Sequence, residues 1–245
     1  MFIKILRLSV TNCYLLEADK GFVLIDTGYD WEWERFRRSL RKAEVDINKI
    51  SHLILTHHHD DHAGLIDKLL SENPTLKVVM SSHARDLVST GKNDRTHGGA
   101  YLNSRVNFLL SLKKAFDKKW THTFPAYLAR KEDIIVSDGL RLRDVGITLD
   151  GTVIETPGHS SDSITIALDS GDCFVGDAAA EFLQFAGTKH CIIYLEDLAQ
   201  YYKSWERIIQ AGAKQIFPGH GNQFSVEELR RDLGRNRSED LVVLE

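Results

Sequence analysis

The pattern of strands and helices in these 245 residues describes an α+β chain, a four-layer αββα sandwich with a helical insertion. Two observations carry that reading. Short strand-type runs and amphipathic helices come in the order strands, helix, strands, helix, and the order is given twice. In both halves strand ends deliver histidine or aspartate onto turns, most densely in the run THHHDDHAGL from Thr56 to Leu65. No linker or shift in composition divides the chain. One domain is therefore expected over 1–245, with a pocket-covering insertion at about 85–133.

Residues 2–8, 13–18 and 21–26 read as three strands. A hairpin turn at Asp19-Lys20-Gly21 joins the last two, since glycine tolerates the positive φ such turns use. The third strand ends at Asp26-Thr27-Gly28. Residues 30–43 form a charged amphipathic helix whose Trp33, Phe36 and Leu40 face a core. Ser51 to Leu55 is an apolar strand-type run, and Ala63 to Leu70 repeats its apolar residues at helical spacing, so the histidine run lies on the loop between them. Asn73-Pro74 marks a turn before a strand at 77–81. Tyr101 to Phe116 has helical periodicity, with Phe108, Leu109, Leu112 and Phe116 as its apolar members. The same insertion is rich in cations, among them Arg95, Arg105, Lys113, Lys114, Lys118 and Lys119. From Asp133 a second strand series begins, at 140–142, 152–156, 163–168 and 172–175, punctuated by Gly151 and Gly171. Residues 196–211 form a helix, 213–217 a last strand, and 227–233 a short helix in a tail whose end is expected to fray.

Composition sets outer bounds on function. The net charge is −4 and the pI about 6.3, so no overall basic character draws the chain to nucleic acid or to anionic lipid. No run approaches ~18 consecutive apolar residues, and the first eight residues interleave charge with apolar side chains, so neither a membrane span nor a secretory signal is expected. Cys13, Cys173 and Cys191 are odd in number and lack a C-x-x-C pair, which suggests buried thiols in a reduced cytoplasm.

His57, His59, Asp61 and His62 fit the pattern H-x-H-x-D-H. Three imidazoles and a carboxylate within six residues are too many for one tetrahedral ion, which takes about four ligands in all. Further candidates follow strand-type runs downstream: His159 in TPGHS, Asp177 in VGD and His220 in PGHG. His58 lies within the run at a position the pattern leaves free. His52, His83, His97, His122 and His190 read by default as capping or packing residues.

In these motifs and their order the chain resembles the metallo-β-lactamase-fold hydrolase superfamily, from Asp26-Thr27-Gly28 to Pro218-Gly219-His220-Gly221. The run around His57 is similar to that of the glyoxalase II-like thioesterases and lactonases. The resemblance implies His57, His59 and His159 on one metal, Asp61, His62 and His220 on a second, and Asp177 bridging them. It also implies that Asp26 orients a ligand and that Ser160 and Ser163 brace their loop. Two divalent ions, zinc with iron or manganese as alternatives, suit a donor set of imidazole and carboxylate without thiolate. Ions ~3.5–4 Å apart share a water and lower its pKa from about 15.7 toward about 7. The expected function is hydrolysis of a small ester, thioester or lactone, with Asp61 orienting the attacking hydroxide and Asp177 holding the bridge. Phosphodiester hydrolysis and mononuclear-iron persulfide dioxygenation are the alternatives. The expected partner is a small-molecule substrate rather than nucleic acid or membrane, met by a monomer or a homodimer. His97, Tyr101 and Arg105 of the insertion are the candidates for substrate contact.

Overall fold

The computed structural model describes residues 2–19, 21–96, 98–116 and 121–244. The first half runs β1 (Ile3–Arg7), β2 (Asn12–Ala18), β3 (Gly21–Ile25), α1 (Trp33–Lys42), β4 (Ile50–Ile54), α2 (Asp60–Ala63), α3 (Ile66–Glu72), β5 (Lys77–Ser81) and α4 (Ser82–Val88). The insertion follows as β6 (Ala100–Tyr101) and α5 (Ser104–Phe116), and β7 (Ile134–Val136) closes it. The second half runs β8 (Gly151–Glu155), β9 (Ile164–Leu168), β10 (Asp172–Gly176), β11 (Tyr194–Leu195), α6 (Leu198–Gln210), β12 (Gln215–Pro218), β13 (Phe224–Ser225), α7 (Val226–Asp232) and β14 (Val242–Val243).

Two sheets face each other. The first has the order β1-β2-β3-β4-β5-β7, and the second β13-β12-β10-β9-β8. Strands alternate their side chains between two faces, and this alternation builds three apolar layers. Tyr14, Leu16, Val23, Ile25, Ile54 and Val79 point inward to meet Val153, Ile164, Ile166, Phe174 and Phe217 of the opposite sheet. The intervening Leu15, Leu24, Leu53 and Val78 point outward, under Phe36 and Leu40 of α1 and Ile66 and Leu69 of α3. On the far side Ile154, Cys173, Val175 and Ile216 pack beneath Tyr201, Trp205 and Ile208 of α6 and Leu229 of α7. Helix, sheet, sheet and helix therefore stack as the sequence pattern expects. Each fully buried aliphatic side chain in these layers contributes roughly 1.5–3 kcal/mol.

Several expectations are corrected. The helix expected over 63–70 is broken at Gly64-Leu65, where Gly64 packs so close that a Cβ would stand 2.7 Å from the Gly28 carbonyl oxygen and 2.7 Å from the Asp30 nitrogen. The strand expected at 140–142 is a single bridge from Arg141 to Thr152 leading into a 3-10 turn at Leu142–Val145. The second half does not open at Asp133, because β7 pairs in parallel with β5 and completes the first sheet. Helix α5 buries Val106 and Leu110, whereas Phe108, Leu112 and Phe116 are 63%, 45% and 86% exposed. Its period was legible, but its buried face is set by Ala186 on a distant loop. The tail does not simply fray: β14 joins β6 and β11 in a third, three-stranded sheet. All three cysteines are buried free thiols, and burial pushes Cys173 and Cys191 up to about 12. Among the described residues no helix is long and apolar enough to cross a membrane.

Candidate metal centre

Strand direction gathers the candidate ligands. β3 and β4 are parallel, and β8, β10 and β12 also share one direction. Their C-terminal ends release Asp26, the His57–His62 loop, His159, Asp177 and His220 at one edge of the sandwich. Hydrogen bonds across the two sheets hold that edge closed, from Ile164 N to Thr56 O (2.8 Å) and from Asn12 N to Gly219 O (2.8 Å).

The seven side chains meet there. His159 Nε2 lies 3.2 Å from His57 Nε2 and 2.9 Å from His59 Nδ1. His220 Nε2 lies 3.2 Å from Asp61 Oδ2 and 3.3 Å from Asp177 Oδ2, and His62 Nε2 is 3.3 Å from Asp177 Oδ1. Asp177 also reaches His159 Nε2 at 3.5 Å, so its carboxylate stands between the two groups. Donor atoms of His57, His59 and His159 converge on one point, those of Asp61, His62 and His220 on another, and those of His57, His62 and Asp177 lie between. Gly219 lets the loops close this far: a Cβ there would stand 2.6 Å from both Asp177 Oδ1 and His62 Cε1.

The outward-facing nitrogens show which atoms are turned inward. His159 Nδ1 donates to the Tyr194 carbonyl (2.9 Å), His220 Nδ1 to the Val10 carbonyl (2.8 Å) and His62 Nδ1 to Asp26 Oδ2 (2.8 Å). A carbonyl oxygen only accepts, so the bonds to Tyr194 and Val10 fix a proton on Nδ1 of His159 and His220, and in all three histidines Nε2 is the nitrogen turned to the centre. Among the described residues His59 Nε2, His62 Nε2 and Asp177 Oδ1 are buried without a hydrogen-bond partner. Buried polar atoms are ordinarily satisfied. Two of these, His62 Nε2 and Asp177 Oδ1, lie at the meeting point of the donors and fit a bound cation, whereas His59 turns Nδ1 to the cluster and its unpaired Nε2 away.

Electrostatics agree. Burial, then the neighbouring imidazoles, hold His57 and His59 well below the usual histidine range, and burial lowers His159, so these three are neutral donors. Burial opposes charge on His62 and His220 as well, but nearby carboxylates outweigh it. Asp177, Asp61 and Asp26 hold His62 well above its ordinary value, and Asp177 and Asp61 push His220 up to about 10. Burial raises Asp61, yet His62 and His220 bring it down to about 2. The centre thus demands positive charge, which protons or metal ions can supply.

Asp26 accepts from Thr56 N (2.8 Å), Thr56 Oγ1 (2.7 Å) and His62 Nδ1 at a backbone φ of 58°. Asp26 is thus in hydrogen-bond contact with one of the candidate ligands, His62. Asparagine tolerates that φ, so Asp26→Asn removes the charge while keeping the turn. Metal affinity, read by competition with a chromophoric chelator, is expected to fall about 10–100-fold; unaltered affinity would show that Asp26 only caps the turn.

His58 is excluded from the cluster for a visible reason. Its Nδ1 lies 2.9 Å from Asp162 Oδ1, and its Nε2 accepts from Asp94 N at 2.8 Å. Nothing in the spacing singled out Asp162, Asn93 or Asp94, because each acts through a contact distant in sequence. Ser160 Oγ and Ser163 Oγ are 2.7 Å apart, within hydrogen-bond distance of each other. Tyr101 lines the cleft above the cluster, whereas Arg105 lines a separate depression with Phe108 and Phe185. His97, Lys20 of the hairpin turn, and Lys118 and Lys119 lie outside the described residues.

The cleft has a volume of about 280 Å³. His59, Asp61, His159, Asp177 and His220 form its floor, and Leu109, Leu110, Phe182, Phe185, Ile192 and Ile193 much of its wall.

The chain is similar to a beta-lactamase-like protein 2 homolog of Drosophila melanogaster, 26% identical over 228 residues that make up 89% of this chain and 60% of that protein. The corresponding homolog of Caenorhabditis elegans is 27% identical, covering 87% of this chain and 57% of its own length. The chain therefore spans about three fifths of these curated relatives. Among solved structures, a metallo-beta-lactamase of Cronobacter sakazakii superposes with a TM-score of 0.63 at 18% identity, over 98% of this chain and 83% of that one, a likeness of fold. The model of the metallo-beta-lactamase superfamily matches residues 6–220, which take in every strand end that feeds the cluster: this chain belongs to that superfamily.

Proposed function

We propose that the protein is a dinuclear metal-dependent hydrolase of small ester, thioester or lactone substrates. The observation that carries the reading is the convergence of seven histidine and aspartate side chains, with His62 Nε2 and Asp177 Oδ1 buried and unsatisfied among them, at the base of a largely apolar cleft. His57, His59 and His159 would hold one ion and Asp61, His62 and His220 the other, with Asp177 between them. Bound divalent ions would supply Lewis acidity and lower the pKa of water toward about 7, zinc suiting the donor set best and iron or manganese next.

The chain's own residues do the rest. The apolar wall excludes bulk water and positions the acyl group over the cluster, which strengthens every polar contact beneath it. Asp61 accepts from Thr11 Oγ1 (3.2 Å), which fixes one edge of its carboxylate and leaves the other to orient the attacking water. Asp26 holds His62 in the tautomer that faces the centre. A carbonyl substrate is preferred to a nucleic-acid backbone, whose binding rests on many cationic contacts, because Arg95 and Lys113 share the cleft lining with Asp60, Asp61, Asp94 and Asp177.

The test is a parallel assay of the metal-loaded protein on an aryl ester, a thioester, a lactone and an aryl phosphodiester. At least one carbonyl substrate is expected to exceed the phosphodiester in kcat/KM by tenfold or more. Turnover of the phosphodiester alone would overturn the proposal.

A further inference from the structure

We propose that this cleft selects substrates carrying an anionic group, a carboxylate, sulfonate or phosphate, and that Arg95 receives it while the apolar remainder lies against α5 and the 182–193 loop. The inference names the substrate class of the hydrolase reading and rests on that reading for the reaction, though not for the binding.

Arg95 lines the cleft, and among the described residues it forms no ion pair with an acidic side chain. The carboxylates of the same cleft are engaged elsewhere. Asp61 and Asp177 belong to the cluster, Asp60 Oδ1 accepts from Asn93 Nδ2 (2.8 Å), and Asp94 accepts from Thr96 N (3.1 Å) and Thr96 Oγ1 (2.7 Å). Lys113, on α5, faces the same space.

The backbone that carries Arg95 is fixed to the metal loop. Asp60 N donates to Asn93 Oδ1 (2.8 Å) while Asn93 Nδ2 returns a bond to Asp60, and Asp94 N donates to His58 Nε2 (2.8 Å). The guanidinium lies 6.0 Å from the Tyr194 ring centroid, within cation–π range. That same ring stands 6.2 Å from His59 and 5.9 Å from His159, so a single aromatic side chain separates Arg95 from the cluster. The charge is felt inside the cleft. His122, which also lines it, is held down to about 4, first by burial and then by Arg95. An exposed guanidinium at the mouth of the cleft, carried by an anchored backbone and set beside an apolar wall, suits an amphipathic anion, and its fork matches carboxylate, sulfonate and phosphate alike.

The experiment compares two fluorescent probes of nearly equal apolar size, 1-anilinonaphthalene-8-sulfonate and its uncharged parent N-phenyl-1-naphthylamine. Sulfonate is a weak metal ligand, so the preference reads the cation rather than the ions. Metal-loaded wild type is expected to prefer the sulfonate about tenfold or more. Arg95→Gln should bring that ratio close to one, and Arg95→Lys should keep part of it. An unmoved ratio in Arg95→Gln, or equal weakening of both probes, would overturn the proposal. The two readings fail separately. A preference that is present in wild type and lost in Arg95→Gln, in a protein that hydrolyses no ester, thioester or lactone, removes the reaction and keeps the anion site. Hydrolysis with an unmoved ratio removes the anion site alone.

Discussion

Asp177→Ala is expected to lower kcat/KM of the metal-loaded protein by at least about a thousandfold, with the fold retained. Its carboxylate lies 3.3–3.5 Å from the Nε2 atoms of His62, His159 and His220, and so among the described residues it is the acidic group shared by both halves of the cluster. Removing it takes away a negative charge from between the two proposed ion positions, and metal-assisted catalysis is worth several kcal/mol, about 1.4 kcal/mol per tenfold in rate. The substitution deletes a group with an unsatisfied buried oxygen, so near-UV circular dichroism and the melting temperature should change little. His59→Ala should act equally severely by opening the three-histidine group. Unchanged turnover in either metal-loaded variant would sink the ligand assignment.

Chelation is expected to abolish turnover and to lower the melting temperature by about 5–10 °C, both restored by added divalent metal. A ligand at about a hundred times its Kd stabilises by about 2.7 kcal/mol, and a chain of this size shifts by about 2–4 °C per kcal/mol. Physically, stripping the ions leaves the carboxylates of Asp26, Asp61 and Asp177 buried at 1%, 9% and 5% exposure, with His62 and His220 as the groups whose charge can balance theirs. A chelated protein that melts and turns over as before would show that the cluster works without metal.

How much of this was written locally explains what the sequence reveals. His57, His59, Asp61 and His62 share one loop, so their spacing announced a metal site. His159, Asp177 and His220 each follow a strand and a glycine-bearing turn, which made them legible as strand-end residues. The residues that pin the site are a different kind. Asp162 meets His58 across 104 positions and Asn93 meets Asp60 across 33. No periodicity encodes such pairs. Arg95 went unsingled among ten cations of the insertion for the same reason: its place beside Tyr194 depends on a third sheet whose three strands are each only two residues long. Strand alternation in β2 to β5 was strong enough to specify both faces of the first sheet. Helix α5 had a clear period without a clear face, because apolar residues lie around most of its circumference and tertiary contacts choose among them.

The most direct test of the account is metal content per chain, by elemental analysis of protein purified without added metal or chelator. About two equivalents of zinc, iron or manganese are predicted, falling to about one in a variant that lacks both Asp61 and His220. One equivalent of iron alone would contradict the dinuclear hydrolase and point to the persulfide dioxygenase, with oxygen uptake as its assay. No metal, even after reconstitution, would contradict the ligand assignment itself.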